Sequence, residues 1–231
     1  MLNGAANVAA ADFREEPYWW NVAPPEESAG PVEGTYDVIV IGAGITGLRA
    51  AIDLAREGVR VLVCEQGRIG AGASRRNAGY LGRTLKKTFS ELEAEGGNAY
   101  ARAVYKELQA AYESTLAFIE REGIHCYANQ CGRLIAATSP QHLHKLTADA
   151  ERLHAQLGFE FRRIEAKDLS EEMGAHGYFG GIVIPDLGSL HPGLYHRGLY
   201  ERAIRAGAVV GGGLTDLPLR EVGVGGQGWF Q

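Results

Sequence analysis

Three glycines near the start of the chain are spaced as in loops that bind a nucleotide diphosphate. Gly42, Gly44 and Gly47 form the pattern G-x-G-x-x-G within "DVIVIGAGITG", residues 37–47. The first glycine of such a loop permits a tight turn, the second lets the backbone approach the diphosphate, and the third lets a helix pack closely on a strand. The amides and the positive dipole end of the helix attract the anion. Because the chain contains 32 glycines, the pattern needs support from its context.

An acidic residue lies where the ribose of a dinucleotide is expected. Glu65 follows the apolar run "VRVLVC" and comes 23 residues after Gly42. This is the usual place for a carboxylate that accepts hydrogen bonds from ribose hydroxyls, and its charge disfavours the 2′-phosphate of NADP. With Ile45 and Thr46 at the start of the expected helix and Gln66 after the acid, the sequence predicts an adenine dinucleotide site.

Two strands and a helix must hold these residues in place. Val38–Ile41 is continuously apolar, as expected of a strand buried on both faces. The next segment has apolar residues at helical spacing and ends at Gly58, a typical residue just after a helix. Residues 59–64 then predict a second buried strand. The order predicts a single βαβ unit with a right-handed crossover between parallel strands.

The segment after Glu65 bears on the choice between NAD and FAD. "GRIGAGASRRNAGYLG", residues 67–82, is too rich in glycine for the crossover helix that an NAD enzyme normally has there. Its backbone amides and polar side chains can wrap a diphosphate and reach a flavin ring, although an ordinary surface loop is the alternative. The residues of this loop that we expect to bind the cofactor are Gly72, Ala73, Ser74, Arg75, Arg76, Asn77, Ala78 and Gly79.

Further elements follow the same reasoning from periodicity and from residues that begin or end helices. Ser139 is a typical N-cap residue, and Pro140 suits the first position of the helix that follows it. The other predicted elements are a helix over 98–122, strands over 132–138, 159–164 and 180–185, a helix over 192–207, and a strand that begins at 208.

Composition excludes several classes of function. The 231 residues carry a net charge of -5, so the chain has no basic footprint for nucleic acid. No apolar run approaches the roughly 18 to 20 residues that span a bilayer, and the N-terminus lacks the pattern of a secretory signal. The three cysteines fit a reducing compartment, so we expect a cytoplasmic protein.

No metal site is expected from the sequence. Cys126 and Cys131 have no second cysteine pair to complete a zinc site. His142 and His144 are two residues apart within a predicted helix, so their side chains diverge.

The segment from Tyr36 to Gly82 resembles the N-terminus of the FAD-dependent glycine/D-amino-acid oxidase (DAO) superfamily, and in particular its γ-glutamylputrescine oxidase-like amine oxidases. The flavin loop of that group has the form G-A-S-x-R-N-x-G, which the loop at 72–79 matches. The segments "GIHCYANQCGRLIAATSP" and "LHPGLYHRGLYERAIRAGAVV" are similar to later parts of the same family.

The resemblance implies an α/β fold in which a Rossmann-like, glutathione-reductase-like FAD-binding domain is interrupted by a mixed α+β substrate-type domain. On this basis residues 1–34 form a lead segment, residues 35–90 and 190–231 form the discontinuous FAD-binding domain, and residues 91–189 form part of the substrate-type domain.

The resemblance also implies a reaction. Members of the family oxidise a C–N bond of an amine or amino acid: hydride passes from the α-carbon to flavin N5, the imine hydrolyses, and O2 is reduced to H2O2. Some relatives attach FAD through a histidine in the flavin loop. This loop has none, so non-covalent FAD is expected. No catalytic residue is identified, and His191 is expected to pack or to cap a helix rather than to contact the flavin domain.

Most members of the family are about twice as long as this chain. By resemblance the last residues, "EVGVGGQGWFQ", fall within a hairpin strand, so the sequence looks like an N-terminal half and an apparently truncated fold. The alternatives to an active oxidase are therefore a non-catalytic half that needs a partner chain and, less favoured, an NAD-dependent dehydrogenase.

Overall fold

The structure, a computed structural model, describes residue 10 and residues 12–27 and 32–214. The described strands are β1 Val38–Ile41, β2 Val61–Cys64, β3 Tyr80–Leu81, β4 Arg133–Ala136, β5 Arg162–Glu165, β6 Gly180–Ile184, β7 Gly188–Ser189 and β8 Val209–Gly211. The described α-helices are α1 Ile45–Arg56, α2 Phe89–Arg121, α3 Pro140–Leu157, α4 Leu169–Met173 and α5 Pro192–Arg205. Two 3₁₀ turns cover Tyr18–Asn21 and Ala73–Arg75.

The chain divides into two compact units. The first contains the residues up to Arg76 and those from Leu199 onward, and the second contains Asn77–Gly198. An interrupted first unit is the organisation that the sequence predicted. The domain boundaries near 90 and 190 remain predictions, whereas the contacts divide the chain at 76 and 199 because β3 pairs with β7 within the second unit.

The first unit is built on a parallel sheet in the order β1-β2-β8. Val38 is opposite Val61 and Leu62 is opposite Val209, so β2 is the central described strand. All four residues of β2 are buried, as a continuously apolar strand requires. Leu48, Ala51 and Ile52 are the buried residues of α1, which crosses from β1 to β2 and completes the predicted βαβ unit.

The expectation that β1 is buried on both faces is wrong. Ile39 is 48% exposed and Ile41 is 76% exposed, while Val38 and Val40 are half-buried. Because successive side chains of a strand point to opposite faces, Ile39 and Ile41 share one face, and the described residues leave that face of β1 largely uncovered. An apolar run of four residues cannot distinguish a central strand from a half-covered edge strand.

The second unit holds an antiparallel sheet in the order β4-β6-β5 and a short β3–β7 ladder. Helices α2 and α3 pack on each other, and Phe89, Leu92, Ala101 and Tyr105 of α2 form a buried cluster against which Leu153 and Leu157 of α3 pack. No helix in the described part of the chain is both long enough and apolar enough to cross a bilayer.

Two predicted elements differ most in extent from those observed. Helix α2 begins at Phe89 rather than at 98, with a break at Gly97, where φ is +82°. Strand β5 begins at Arg162 rather than at 159. The C-terminal residues "EVGVGGQGWFQ", expected to fall in a hairpin strand, lie outside the described residues.

Candidate cofactor site

The three glycines of the G-x-G-x-x-G loop each meet a specific steric demand. Gly42 has φ of +94°, a conformation that side chains disfavour. A Cβ on Gly47 would lie 2.0 Å from the carbonyl oxygen of Gly42, so only glycine lets α1 approach β1 this closely. A Cβ on Gly44 would lie 3.1 Å from Ser74 Oγ. The conformation of the loop and its close contacts with neighbouring atoms thus depend on the absence of side chains at these three positions.

The N-terminus of α1 faces this loop. Its first intrahelical hydrogen bond joins Leu48 N to Gly44 O at 2.9 Å, so the amides of Ile45, Thr46 and Gly47 precede the helical ladder. Ile45 N donates to Ser74 Oγ at 3.1 Å. Amides at such a helix end favour an anion such as a diphosphate.

Glu65 follows β2 and organises the backbone beside the loop. Its Oε2 accepts a hydrogen bond from Ala43 N at 3.0 Å, and its Oε1 accepts one from Gly67 N at 3.2 Å. A carboxylate has about four acceptor sites, so these two amides leave capacity for ribose hydroxyls. The next residue, Gln66, is exposed.

Strand β8 fixes the backbone of Glu65 from the other side. Glu65 N donates to Gly211 O at 2.8 Å, and Leu214 N donates to Glu65 O at 3.0 Å.

Burial raises the pKa of the neighbouring Cys64 thiol, which therefore stays protonated at neutral pH.

The first part of the flavin loop belongs to the same unit. Gly72 and Ala73 are exposed, and Ser74 contacts the start of α1 through Ile45. Arg75 is fully buried and bonds to residues of the lead segment, including Glu26 at 2.5 Å. Arg76 donates to Ala71 O at 2.8 Å and lies over the Trp20 ring. Cofactor contacts by Arg75 and Arg76 stay a prediction.

The last part of the loop belongs to the second unit. Asn77 Oδ1 accepts a hydrogen bond from Gly79 N at 2.9 Å. Gly79 has φ of +72°, and a Cβ there would lie 2.2 Å from Leu190 O. Asn77 and Ala78 are exposed. The structure therefore brings Gly42, Gly44, Ile45, Glu65 and Ser74 together in one unit and places Asn77–Gly79 in the other.

Three histidines of the second unit, which the sequence singled out, can be placed in the structure. His191 caps α5, because its Nδ1 accepts a hydrogen bond from Leu194 N at 3.1 Å. Burial lowers the pKa of His191. His144 is exposed, and His142 Nδ1 accepts from Thr138 N at 3.3 Å. Across the residues that the structure describes, no three His, Cys, Asp or Glu side chains are grouped to hold a metal ion.

A cavity of about 210 Å³ lies in the second unit between α3 and the sheet. Its lining is mainly apolar, with Tyr105 and Asp149 among its ionisable groups. Burial raises the pKa of Tyr105 to about 12. Burial also raises the pKa of Asp149, whose carboxylate accepts a hydrogen bond from Phe89 N at the start of α2. We assign no catalytic role to these groups.

Sequence reasoning missed the contacts between the lead segment and the flavin loop. Glu26 and Ile69 form an antiparallel bridge, and Arg75 inserts beside it. The available signal was charge: the lead segment has Glu26 and Glu27, and the loop has three arginines, Arg68, Arg75 and Arg76.

A parallel βαβ unit with a glycine loop at the helix N-terminus and an acid after the second strand defines a dinucleotide-binding protein of the Rossmann type. The chain belongs to the DAO family of FAD dependent oxidoreductases, whose model matches residues 37–228.

Individual relatives agree with this family. Gamma-glutamylputrescine oxidoreductase of Escherichia coli strain K12 is 30% identical over 158 residues, which cover 68% of this chain and 37% of the relative. Glycine oxidase from Geobacillus kaustophilus has a TM-score of 0.60 at 25% identity, with 76% of this chain and 46% of that chain covered. L-amino acid deaminase from Proteus vulgaris has a TM-score of 0.63 at 21% identity, with 81% and 42% covered. The chain spans less than half the length of these three proteins.

The cofactor of the family is FAD, which favours the flavin interpretation of the loop after Glu65 over the NAD alternative. The residues present fit it. The positive φ of Gly42 and the close approach at Gly47 shape a cradle for a diphosphate, and Glu65 stands at the end of β2 for a ribose. The same features would also suit other adenine dinucleotides, so the family match makes the choice.

Proposed function

We propose that the chain binds FAD non-covalently and takes part in the oxidation of a C–N bond of an amine or amino acid. The substrate class is supported by the names of two relatives, gamma-glutamylputrescine oxidoreductase and glycine oxidase. Bound FAD would accept hydride from the carbon next to nitrogen, the imine would hydrolyse, and O2 would take the electrons to give H2O2. The absence of histidine in residues 67–82 supports non-covalent attachment.

The chain's own residues bind and orient the cofactor in this proposal. The amides of Thr46 and Gly47 hold the diphosphate at the N-terminus of α1. Glu65 accepts hydrogen bonds from the ribose and keeps Ala43 and Gly67 in place. The family match over residues 37–228 carries the proposal of FAD, and the 2.0 Å approach at Gly47, which only a glycine permits, supports the dinucleotide loop. No residue of the described part is assigned as a catalytic acid or base.

The second candidate is a non-catalytic half that a partner chain completes. It is favoured by one observation: Ile39 and Ile41 on β1 are exposed. The proposed location is the cytoplasm, supported by the sparse cysteines, of which Cys64 and Cys126 are buried and unpaired.

The cofactor proposal is tested by the visible absorption spectrum of the purified chain, followed by acid precipitation. We expect flavin bands and release of FAD into the supernatant. The variant Glu65→Ala should bind FAD about tenfold more weakly, a loss of about 1.4 kcal/mol, because it removes the ribose acceptor and the contacts to Ala43 and Gly67. Glu57→Ala, at the exposed far end of α1, is the matched control and should bind normally. A chain that takes up no added FAD would contradict the proposal.

Turnover separates the two candidates. H2O2 release is measured with glycine and with γ-glutamylputrescine as substrates, using the FAD-loaded chain alone. Release at a rate that depends on substrate supports the oxidase. An FAD-loaded chain without turnover supports the half that requires a partner.

A further inference from the structure

Three arginines of the loop after β2 contact residues 17–27, which are part of the lead segment. Arg68 donates to Pro25 O at 3.0 Å and pairs with Glu27 at 2.8 Å. Arg76 lies 4.3 Å from the centre of the Trp20 ring. Both of these arginines are exposed, and exposed pairs contribute little to stability. The contact that differs from the others is made by Arg75.

Arg75 is a fully buried arginine, with 0% exposure. Its Nη1 donates to Ala23 O at 3.0 Å and to Pro24 O at 2.6 Å. Its Nη2 pairs with Glu26 at 2.5 Å, and the carboxylate of Glu26 is largely shielded from solvent. Removing the Glu26 carboxylate would leave the buried guanidinium with its neutral carbonyl acceptors but without this opposite charge, which is unfavourable. The lead segment thus supplies three acceptors of the buried guanidinium: Ala23 O, Pro24 O and the Glu26 carboxylate.

The surrounding backbone is shaped for this contact. Glu26 and Ile69 exchange two hydrogen bonds of 3.0 Å each, which makes a short antiparallel bridge. Gly70 has φ of +86°, and a Cβ there would lie 2.3 Å from Arg75 Nε. The loop thus leaves room for the guanidinium at the point where the lead segment pairs with it.

One short turn connects this clamp to the cofactor site. Ser74 and Arg75 belong to the 3₁₀ turn Ala73–Arg75, in which Arg75 N donates to Gly72 O at 3.2 Å. Ser74 Oγ accepts from Ile45 N at the start of α1, while Arg75 points into the lead segment. Because Ser74 and Arg75 are adjacent in this turn, a displacement of the Arg75 backbone would displace Ser74 as well.

We infer that Glu26 and Arg75 are positioning residues for the cofactor: the lead segment clamps the turn that holds Ser74 at the N-terminus of α1. The inference rests on the proposed FAD binding and adds a role for a segment outside the dinucleotide motif. The clamp gives affinity by preorganisation, since the turn is ordered before FAD arrives.

The test is FAD affinity, measured by quenching of flavin fluorescence in the variant Glu26→Gln. We expect the dissociation constant to rise about tenfold, equivalent to about 1.4 kcal/mol. The matched control is Glu27→Gln, which removes a neighbouring, exposed carboxylate and should change affinity less than about twofold. Thermal unfolding of both variants is recorded. Unchanged FAD affinity in Glu26→Gln, or an equal loss in Glu27→Gln, would overturn the inference.

A second measurement does not need FAD. Hydrogen exchange at the amides of Arg75 and Arg76 is measured in the cofactor-free chain, and Glu26→Gln should exchange there faster than Glu27→Gln does. Equal exchange in the two variants would refute the clamp even if no form of the chain bound FAD. Absence of FAD binding with a clear exchange difference would instead refute the proposed function and leave the clamp in place.

Discussion

His191 shows how burial of a single titratable side chain produces a pH dependence. Its ring accepts a hydrogen bond from Leu194 N and thus needs an unprotonated Nδ1. Burial lowers its pKa, and the charge of Arg197 acts in the same direction. The unfolded chain therefore binds the proton more readily, and the free energy of unfolding falls as the pH drops below about 6.5.

The variant His191→Asn keeps an acceptor for Leu194 N but does not titrate. We expect its loss of stability between pH 7 and pH 5 to be smaller than that of the unmodified chain, measured as the shift of the urea midpoint. His144→Asn, at an exposed position of α3, serves as the control and should follow the unmodified chain. Parallel declines in all three proteins would show that the cap does not titrate.

At the residue level, the sequence was sufficient to predict the residues whose positions depend on backbone geometry and local spacing. The glycine loop and Glu65 follow from a strand, a turn and a helix that are close together in the chain. The partners of Arg75 could not be predicted in the same way, since Ala23 and Glu26 are about fifty positions earlier. Spacing alone does not say whether an arginine beside a diphosphate loop faces the ligand or the protein.

The close packing of α1 against β1 can be tested by adding a methyl group at Gly47. Gly47→Ala places a methyl group 2.0 Å from Gly42 O, so helix and strand must separate. We expect a loss of about 3 kcal/mol in the free energy of unfolding, the upper end of typical overpacking costs, and loss of FAD binding. Urea denaturation followed by circular dichroism measures the first effect.

Gly67→Ala is the matched control for this substitution. A Cβ at Gly67 meets nothing within 4 Å, so the variant should unfold within about 0.5 kcal/mol of the unmodified chain. If the two variants were equally stable, the close approach at Gly47 would not be a constraint on the fold.

Element ends were predictable where a side chain caps the helix. Ser139 accepts a hydrogen bond from His142 N, and Pro140 begins α3 as expected. The start of α2 was missed, although Thr88 and Glu91 form a capping box that is recognisable in sequence. The adjacent Gly96 and Gly97 obscured it, because paired glycines normally argue against a helix interior.

The exposed face of β1 leads us to predict that whole molecules associate through it. Ile39 and Ile41 point to the same face and are 48% and 76% exposed. Exposed apolar strand residues favour association between molecules. The double variant Ile39→Thr, Ile41→Thr keeps β-branched side chains and should reduce self-association and the fluorescence of bound ANS, without loss of FAD binding.

Sedimentation velocity over a range of protein concentrations measures this effect. The control is Val209→Thr on β8, where the side chain is 39% exposed and the strand is three residues long. Undiminished self-association in the double variant would show that β1 is not the surface through which the molecules associate.

The interrupted organisation of the whole chain was predictable because the βαβ pattern stops and a strand reappears near 209. The division at 76 and 199 was not, since it depends on which unit the short strands β3 and β7 join. Strands of two residues carry no periodicity that a sequence could reveal.

The sheet order has a consequence for the time course of biosynthesis. Strand β8 pairs with β2, and Val209 is translated 145 positions after Cys64. At about 5 to 20 residues per second, this interval lasts about 7 to 30 seconds. Until it ends, Glu65 lacks the backbone bond to Gly211 that holds it. We therefore expect cofactor capture to follow the translation of β8, although the glycine loop precedes β8 in the chain.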